Sequence, residues 1–263
     1  MTAALMQVQQ LRLQQGSREL VRDLQLIIQP GEAWIVLGEN GCGKSTLLAT
    51  LAGWRAPAAG EVQLAAAGGL LPLCRVPPTE RARLIAWQTQ QDECPFPLSV
   101  LEKTLTGRHP HLSRWAWEGA ADLALAEAQL ARLDLQGFGE RDLASLSGGE
   151  RRRVALATAL TQQAPLLLLD EPLSQLDVRH QQQALQVLRA ERAAGRSLLV
   201  VSHDPNHAAQ FATHALLLFG DGRWQAGVCD QVLNTKSLSE LYHHPVSELS
   251  QQGTRWFVPQ APA

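Results

Sequence analysis

Cysteine is scarce in this 263-residue chain, and its four copies, Cys42, Cys74, Cys94 and Cys229, lie far apart with no CxxC pair. That spacing argues against both a zinc site and a disulfide framework, and reduced thiols are expected. A charge of one dominant sign is also missing. The formal net charge is −2, so no basic field steers the chain toward nucleic acid or anionic lipid, and no nucleic-acid partner is expected. Long apolar runs are absent as well: Leu166 to Leu169 and Ala215 to Phe219 fall far below the roughly 18 residues a membrane span needs. Membrane association would have to come through a partner. The opening Met1 to Leu13 is rich in Gln and lacks the basic-then-apolar layout of a signal peptide. No internal repeat or low-complexity tract is visible.

Apolar material for a core is plentiful, at 45% hydrophobic against 18% charged residues. Val8, Leu11 and Leu13 interleave with polar residues, and Leu24 to Ile28 forms a second strand-like run ending at Pro30-Gly31, which predicts an antiparallel β region. Trp34 to Leu37 is a short apolar strand leading into a glycine loop, and Ser45 to Ala52 reads as a helix that stops at Gly53. Glu61 to Pro78, broken by Gly68, Gly69, Pro72, Pro77 and Pro78, reads as an edge hairpin with a wandering loop. Ser99 to Leu133 turns helical. Buried strands at Leu166 to Leu169 and Ser197 to Val201 then flank a helix over Val178 to Ala194, as in parallel βαβ units. Leu216 to Phe219 and Trp224 to Ala226 read as a hairpin around Gly220-Asp221-Gly222, with short helices near Val232 and Leu238 to Tyr242.

Three segments carry chemistry. Gly38-Glu39-Asn40-Gly41-Cys42-Gly43-Lys44-Ser45, followed by Thr46, matches GxxxxGK[ST] between a strand and a helix. Glycines there let backbone N–H groups face phosphate oxygens; Lys44 would neutralise β/γ-phosphate charge and Ser45 would offer a hydroxyl to Mg²⁺. Leu166 to Leu169 ends in Asp170-Glu171, which places two carboxylates at the carboxyl edge of a parallel sheet. Asp170 fits the Mg²⁺ side and Glu171 the general base that polarises water. Leu146-Ser147-Gly148-Gly149-Glu150 precedes a helix and reads either as an anion site or as a plain helix cap.

Taken with Ser174-Gln175-Leu176-Asp177 and Ser202-His203-Asp204, these segments resemble, over nearly the whole chain, the nucleotide-binding subunits of ATP-binding-cassette transporters. The resemblance implies an α/β fold: a P-loop NTPase core with a mainly parallel sheet, an antiparallel β subdomain and an inserted α-helical subdomain. On that scheme one domain fills residues 1–263, with the core and β subdomain at 1–92 and 151–263 and the helical signature subdomain at 93–150. ATP and Mg²⁺ are the implied ligands. Two copies would face each other head to tail, so that Ser147 and the Gly148 and Gly149 amides reach the γ-phosphate held by the other copy, with Asp177 at the seam. His203 matches the switch histidine that contacts the γ-phosphate and steadies Glu171 and the water. Gln90 matches the glutamine that reaches Mg²⁺, with Gln88 and Gln91 as competitors.

Membrane permease subunits, an extracytoplasmic substrate-binding protein and a peripheral place on the cytoplasmic face of the inner membrane follow from the same resemblance. Gly107 to Leu112, Leu176 to Gln181 and His203 to Ala209 resemble the branch that imports ferric siderophores, haem or cobalamin. A soluble cassette serving iron–sulphur assembly or DNA metabolism would be expected to carry a coiled coil or second cassette; an export role stays open. His109, His111, His207, His243 and His244 lie in loop-like text without paired acids or cysteines and are read as structural or surface groups. Trp115 and Trp117 are read first as packing residues, with permease contact as the alternative. Two departures from the family stand out. Gln14-Gln15-Gly16-Ser17 offers no ring where adenine usually stacks, and Glu39 and Cys42 replace the usual loop residues. Cys42 is expected to react with alkylating reagents and to be shielded by ATP.

Overall fold

The computed structural model describes residues 4–90, 96–113, 115–251 and 253–260. Strands β1 (Met6–Gln15) and β2 (Arg18–Ile28) pair antiparallel and turn at Gly16. The apolar residues of β1 do not alternate strictly, and the structure resolves this with a register shift between Val8 and Leu11, where Gln10 takes φ 47°. The bulge returns Leu11 to the buried face shared by Met6, Val8 and Leu13. Strand β3 (Ala33–Leu37) is buried throughout and runs into helix α1 (Lys44–Leu51). Strands β4 (Ala59–Ala66) and β5 (Gly69–Pro72) complete the first sheet in the order β2-β1-β4-β5. Helix α2 (Pro78–Leu84), unannounced in the sequence reading, begins on a proline, whose fixed φ suits a first helical turn.

Strand β6 (Ile85–Gln88) enters the second sheet, and the chain then leaves it for a helical layer. Helices α3 (Val100–Leu105) and α4 (Ala120–Arg132) pack against α5 (Gly148–Thr161), whose start carries it across the residue-150 border. Strand β7 (Leu166–Asp170), helix α6 (Val178–Ala193) and strand β8 (Ser197–Val201) follow, then helix α7 (Ala208–Phe211), strand β9 (His214–Leu218) and strand β10 (Trp224–Val228). The order is β10-β9-β3-β8-β7-β6, parallel except for β10.

Each face of this sheet has its own core, which is why its strands are continuous apolar runs. Val36, Leu168 and Val201 pack with Leu47, Leu48 and Leu51 of α1 and with the first sheet. Ile35, Leu167 and Leu169 pack on the opposite face with Leu156 of α5 and Leu185 of α6. Helices α8 (Cys229–Val232) and α9 (Thr235–Leu241) and the hairpin of β11 (Val246–Gln251) and β12 (Thr254–Pro259) end the described chain. That hairpin was not foreseen: β11 is mostly exposed and carries no alternating pattern. Among the described residues no helix is long and apolar enough to cross a membrane.

Candidate nucleotide site

The glycine loop joins β3 to α1 at the carboxyl edge of the central sheet. Gly43 stands at the N-cap with φ 108° and supplies no side-chain cap, so the first amides of α1 are left for another acceptor. A Cβ on Gly43 would meet Leu20 at 3.0 Å, and one on Gly38 would meet the Leu218 carbonyl oxygen at 2.5 Å, so the loop cannot carry side chains there. Lys44 is buried, and its Nζ donates to the carbonyls of Gly38 (2.7 Å) and Glu39 (2.9 Å), curving the loop around one ammonium.

Cys42 behaves differently from expectation. Its side chain turns under the loop into the core with Leu20 and Leu218 and is 2% exposed. Burial pushes the thiol above its ordinary range, only partly offset by Lys44. A protonated, enclosed thiol is a poor nucleophile, so the expected reactivity is corrected by the structure.

Asp170 closes β7 at 1% exposure. Desolvation raises its carboxyl above the usual range, opposed by the nearby Ser45 hydroxyl and reinforced by the neighbouring Glu171 charge. Its Oδ1 is buried without a hydrogen-bond partner among the described residues. An orphaned carboxylate oxygen beside a hydroxyl is a donor set suited to a hard divalent cation. The next residue, Glu171, adopts φ 52°, a left-handed conformation costly for a side-chain-bearing residue and typical of functional turns. The turn is tied by Ser174, whose amide and hydroxyl both donate to the Glu171 carbonyl. It delivers Glu171 Oε1 to 2.5 Å from His203 Nε2.

The three candidate glutamines separate by strand geometry. Gln88 pairs in register with Leu169, so its side chain shares the Leu169 face, opposite the Asp170 and α1 face. It is 4% exposed, and neither side-chain polar atom has a hydrogen-bond partner among the described residues. Gln90 lies just beyond β6, exposed, with its carbonyl accepting from Arg152 Nη2 at 2.7 Å. Gln91 lies outside the described residues.

Ser147 is the N-cap of α5 in a capping box: its hydroxyl accepts from the Glu150 amide (3.3 Å) and Glu150 accepts from the Ser147 amide (2.7 Å). That bonding holds the Glu150 carboxyl below the usual range. Gly148 and Gly149 abut Gln175, itself at φ 64°; a Cβ on Gly148 would sit 2.5 Å from its Oε1, and one on Gly149 2.9 Å from its carbonyl oxygen. Asp177 caps α6 by accepting from the His180 amide, which lowers its pKa.

The structure thus joins Lys44 to the loop and Glu171 to His203 and sets Ser45 near Asp170, while Ser147 to Gly149 are engaged with the segment before α6. Trp115 and Trp117 are 87% and 89% exposed, so the packing expectation for them is overturned. His111 bonds the Gln162 carbonyl and His244 the Gln260 carbonyl. No ring stands at Gln14 to Ser17; instead Arg18 Nη2 donates to the Gly220 carbonyl at 3.0 Å, near Gly41. Sequence reading missed Arg18, because an arginine after a turn has no distinguishing pattern.

A phosphate loop at a parallel-sheet edge, a histidine just beyond the adjoining strand β8 and two carboxylates at the end of the next strand, β7, define a cassette-type ATPase. Residues 21–174 match the family model described as ABC transporter. The chain belongs to that family as an ATP-binding, ATP-hydrolysing subunit. It is 41% identical over 219 residues to a hemin import ATP-binding protein, HmuV, of Pseudomonas entomophila, spanning 81% of this chain and 83% of that one. It is 34% identical over 235 residues to the iron(3+)-hydroxamate import ATP-binding protein FhuC of Bacillus subtilis, spanning 89% and 86%. Among solved structures, a chain of a metal-chelate type ABC transporter in an inward-facing conformation superposes with a TM-score of 0.83 at 28% identity, covering 98% of each chain. An ATP-binding cassette solved as a dimer in a post-hydrolysis state with ADP and Pi superposes at 0.71 with 26% identity, covering 84% of this chain and 97% of that one.

Proposed function

We propose that two copies of this chain, head to tail, hydrolyse ATP at the cytoplasmic face of a membrane to drive uptake of hemin or a ferric chelate through permease subunits, with an extracytoplasmic binding protein delivering the cargo. The observation that carries this reading is the 41% identity to a hemin import ATP-binding protein across 81% of the chain.

In the proposed cycle, residues 38–46 wrap the phosphates, and Lys44 exchanges its bonds to the Gly38 and Glu39 carbonyls for β/γ-phosphate oxygens. Ser45 and Asp170, with Gln90 from beyond β6, would hold a Mg²⁺ ion, which when bound neutralises charge on the phosphate oxygens. Glu171 accepts the proton of the attacking water as its oxygen bonds to the γ-phosphorus and the bond to the ADP oxygen breaks. His203 steadies Glu171 and meets the γ-phosphate. Ser147, Gly148 and Gly149 of the second copy close the site, so ATP holds the pair together and hydrolysis releases it. The alternative glutamine Gln88 faces away from Asp170, which supports Gln90.

The test is purification from solubilised membranes followed by vesicle uptake of hemin, ferric hydroxamate or cobalamin, with Glu171→Gln as control. The reading expects recovery with a permease and ATP-dependent uptake that Glu171→Gln abolishes. Recovery only in soluble complexes, or uptake of none of these cargoes, contradicts it.

A further inference from the structure

The proposed reaction leaves the terminal segment without a task, yet that segment touches the nucleotide site at three points. Tyr242, directly after α9, donates its hydroxyl to the His203 carbonyl oxygen at 3.1 Å. Asn206, three residues beyond His203, behaves like an added strand residue against β12: its Nδ2 donates to the Phe257 carbonyl (3.0 Å) and its Oδ1 accepts from the Phe257 amide (2.7 Å). His243 Nε2 stands 4.0 Å from Glu39 Oε2 of the phosphate loop.

These contacts are anchored rather than surface-borne. Leu238 and Leu241 of α9 and Phe257 of β12 are buried in the same core as Ala208 and Phe211, which follow the His203 loop. Within that loop Ser202 Oγ accepts from the Asp204 amide at 3.1 Å and pairs with His207 Nδ1 at 2.9 Å. The Ser202 hydroxyl thus ties the loop from within, and the terminal segment ties it from outside.

We infer that Tyr242 is a positioning residue for His203, and that α9 with the terminal hairpin forms a clamp setting where the imidazole meets Glu171. The inference rests on the reading above, in which His203 and Glu171 act on ATP. Burial, aided by the Asp204 charge, pushes the phenol ionisation upward, so the hydroxyl remains a donor across the neutral range. A backbone carbonyl is an apt handle, because it fixes the peptide that carries the imidazole without competing for either ring nitrogen.

The test uses the full chain with Tyr242→Phe, His203→Ala and the double variant, together with thermal unfolding and the ¹⁵N-histidine signal assigned to His203 by its loss in His203→Ala. Losing one hydrogen bond should lower kcat roughly three- to tenfold with KM nearly unchanged, and should shift the His203 imidazole signal. The double variant should be no slower than His203→Ala, since its carbonyl remains but has no imidazole to place. Should His203→Ala turn over like the parent, the hydrolytic reading fails. With His203→Ala slow, normal turnover and an unmoved imidazole in Tyr242→Phe would overturn the clamp, as would an additive loss in the double variant. Where residual activity is too low for the comparison, the imidazole signal decides.

Discussion

His203 Nε2 lies 2.5 Å from Glu171 Oε1, a contact between residues 32 apart in sequence. Adjacent parallel strands produce it: β7 and β8 end at the same sheet edge, and the left-handed turn at Glu171 aims its carboxylate along that edge toward the residue two beyond β8. Glu171→Gln keeps the shape of the side chain but cannot take a proton. It should retain ATP binding and lose turnover by about 10²- to 10⁴-fold, whereas Lys44→Ala should weaken ATP binding itself. Nucleotide binding and phosphate release measured on both variants check the assignment; normal turnover by Glu171→Gln would show that another group is the base.

Cys42 should resist alkylation. Maleimide labelling at neutral pH is expected to mark the exposed Cys74 far faster than Cys42, and Cys42 should label readily only after denaturation. Mass spectrometry of the modified peptides reads this directly. Rapid native labelling of Cys42 that ATP suppresses would instead place the thiol at the loop surface.

Gln88 and Gln90 should respond oppositely. Gln88 buries an amide whose nitrogen and oxygen have no partner among the described residues, so Gln88→Leu should stabilise the fold by about 1–3 kcal/mol and preserve ATPase activity. Gln90→Ala should leave stability unchanged and lower kcat. Denaturant unfolding and turnover of both variants separate the two, and loss of activity in Gln88→Leu would return Gln88 to the reaction.

His207 should make the fold acid-sensitive. Burial lowers its pKa below the ordinary histidine value, against a smaller opposing pull from Asp204. Below about pH 6.5 the unfolded chain takes up a proton that folded His207 refuses, so stability falls as pH drops from there toward the folded pKa. Denaturant titrations from pH 7.5 to 5.5 should show a shallower fall for His207→Gln than for the parent. An equal slope would mean that His207 titrates alike in both states.

How far the sequence foretold this molecule depends on how local each feature is. The phosphate loop was legible because strand, glycines, lysine and helix are contiguous, and Leu166 to Leu169 because a strand buried on both faces is a continuous apolar run. The choice between Gln88 and Gln90 was not legible: two residues apart on a strand they share a face, and only the end of β6 at Gln88 frees Gln90 to turn elsewhere. Cys42 misled because its side-chain direction depends on Leu20 and Leu218, from two distant strands. Tyr242 gave no signal, since its partner is a backbone carbonyl 39 residues away. Trp115 and Trp117 looked like core by composition and are not, because the segment before α4 stays on the surface.

The central claim is that each site is completed by Ser147 to Gly149 of a second copy, and mixing two inactive variants tests it most directly. Lys44→Ala disables the loop side; Ser147→Asp preserves the α5 cap while setting a negative charge toward phosphate. In a head-to-tail pair the mixed dimer contains one site built from an intact loop and an intact Ser147. Equal mixing should therefore restore ATPase activity to about a quarter of the parent level, half the dimers being mixed and each carrying one good site of two. Absence of any recovery across all mixing ratios, with both variants folded and dimer formation verified, would contradict the account.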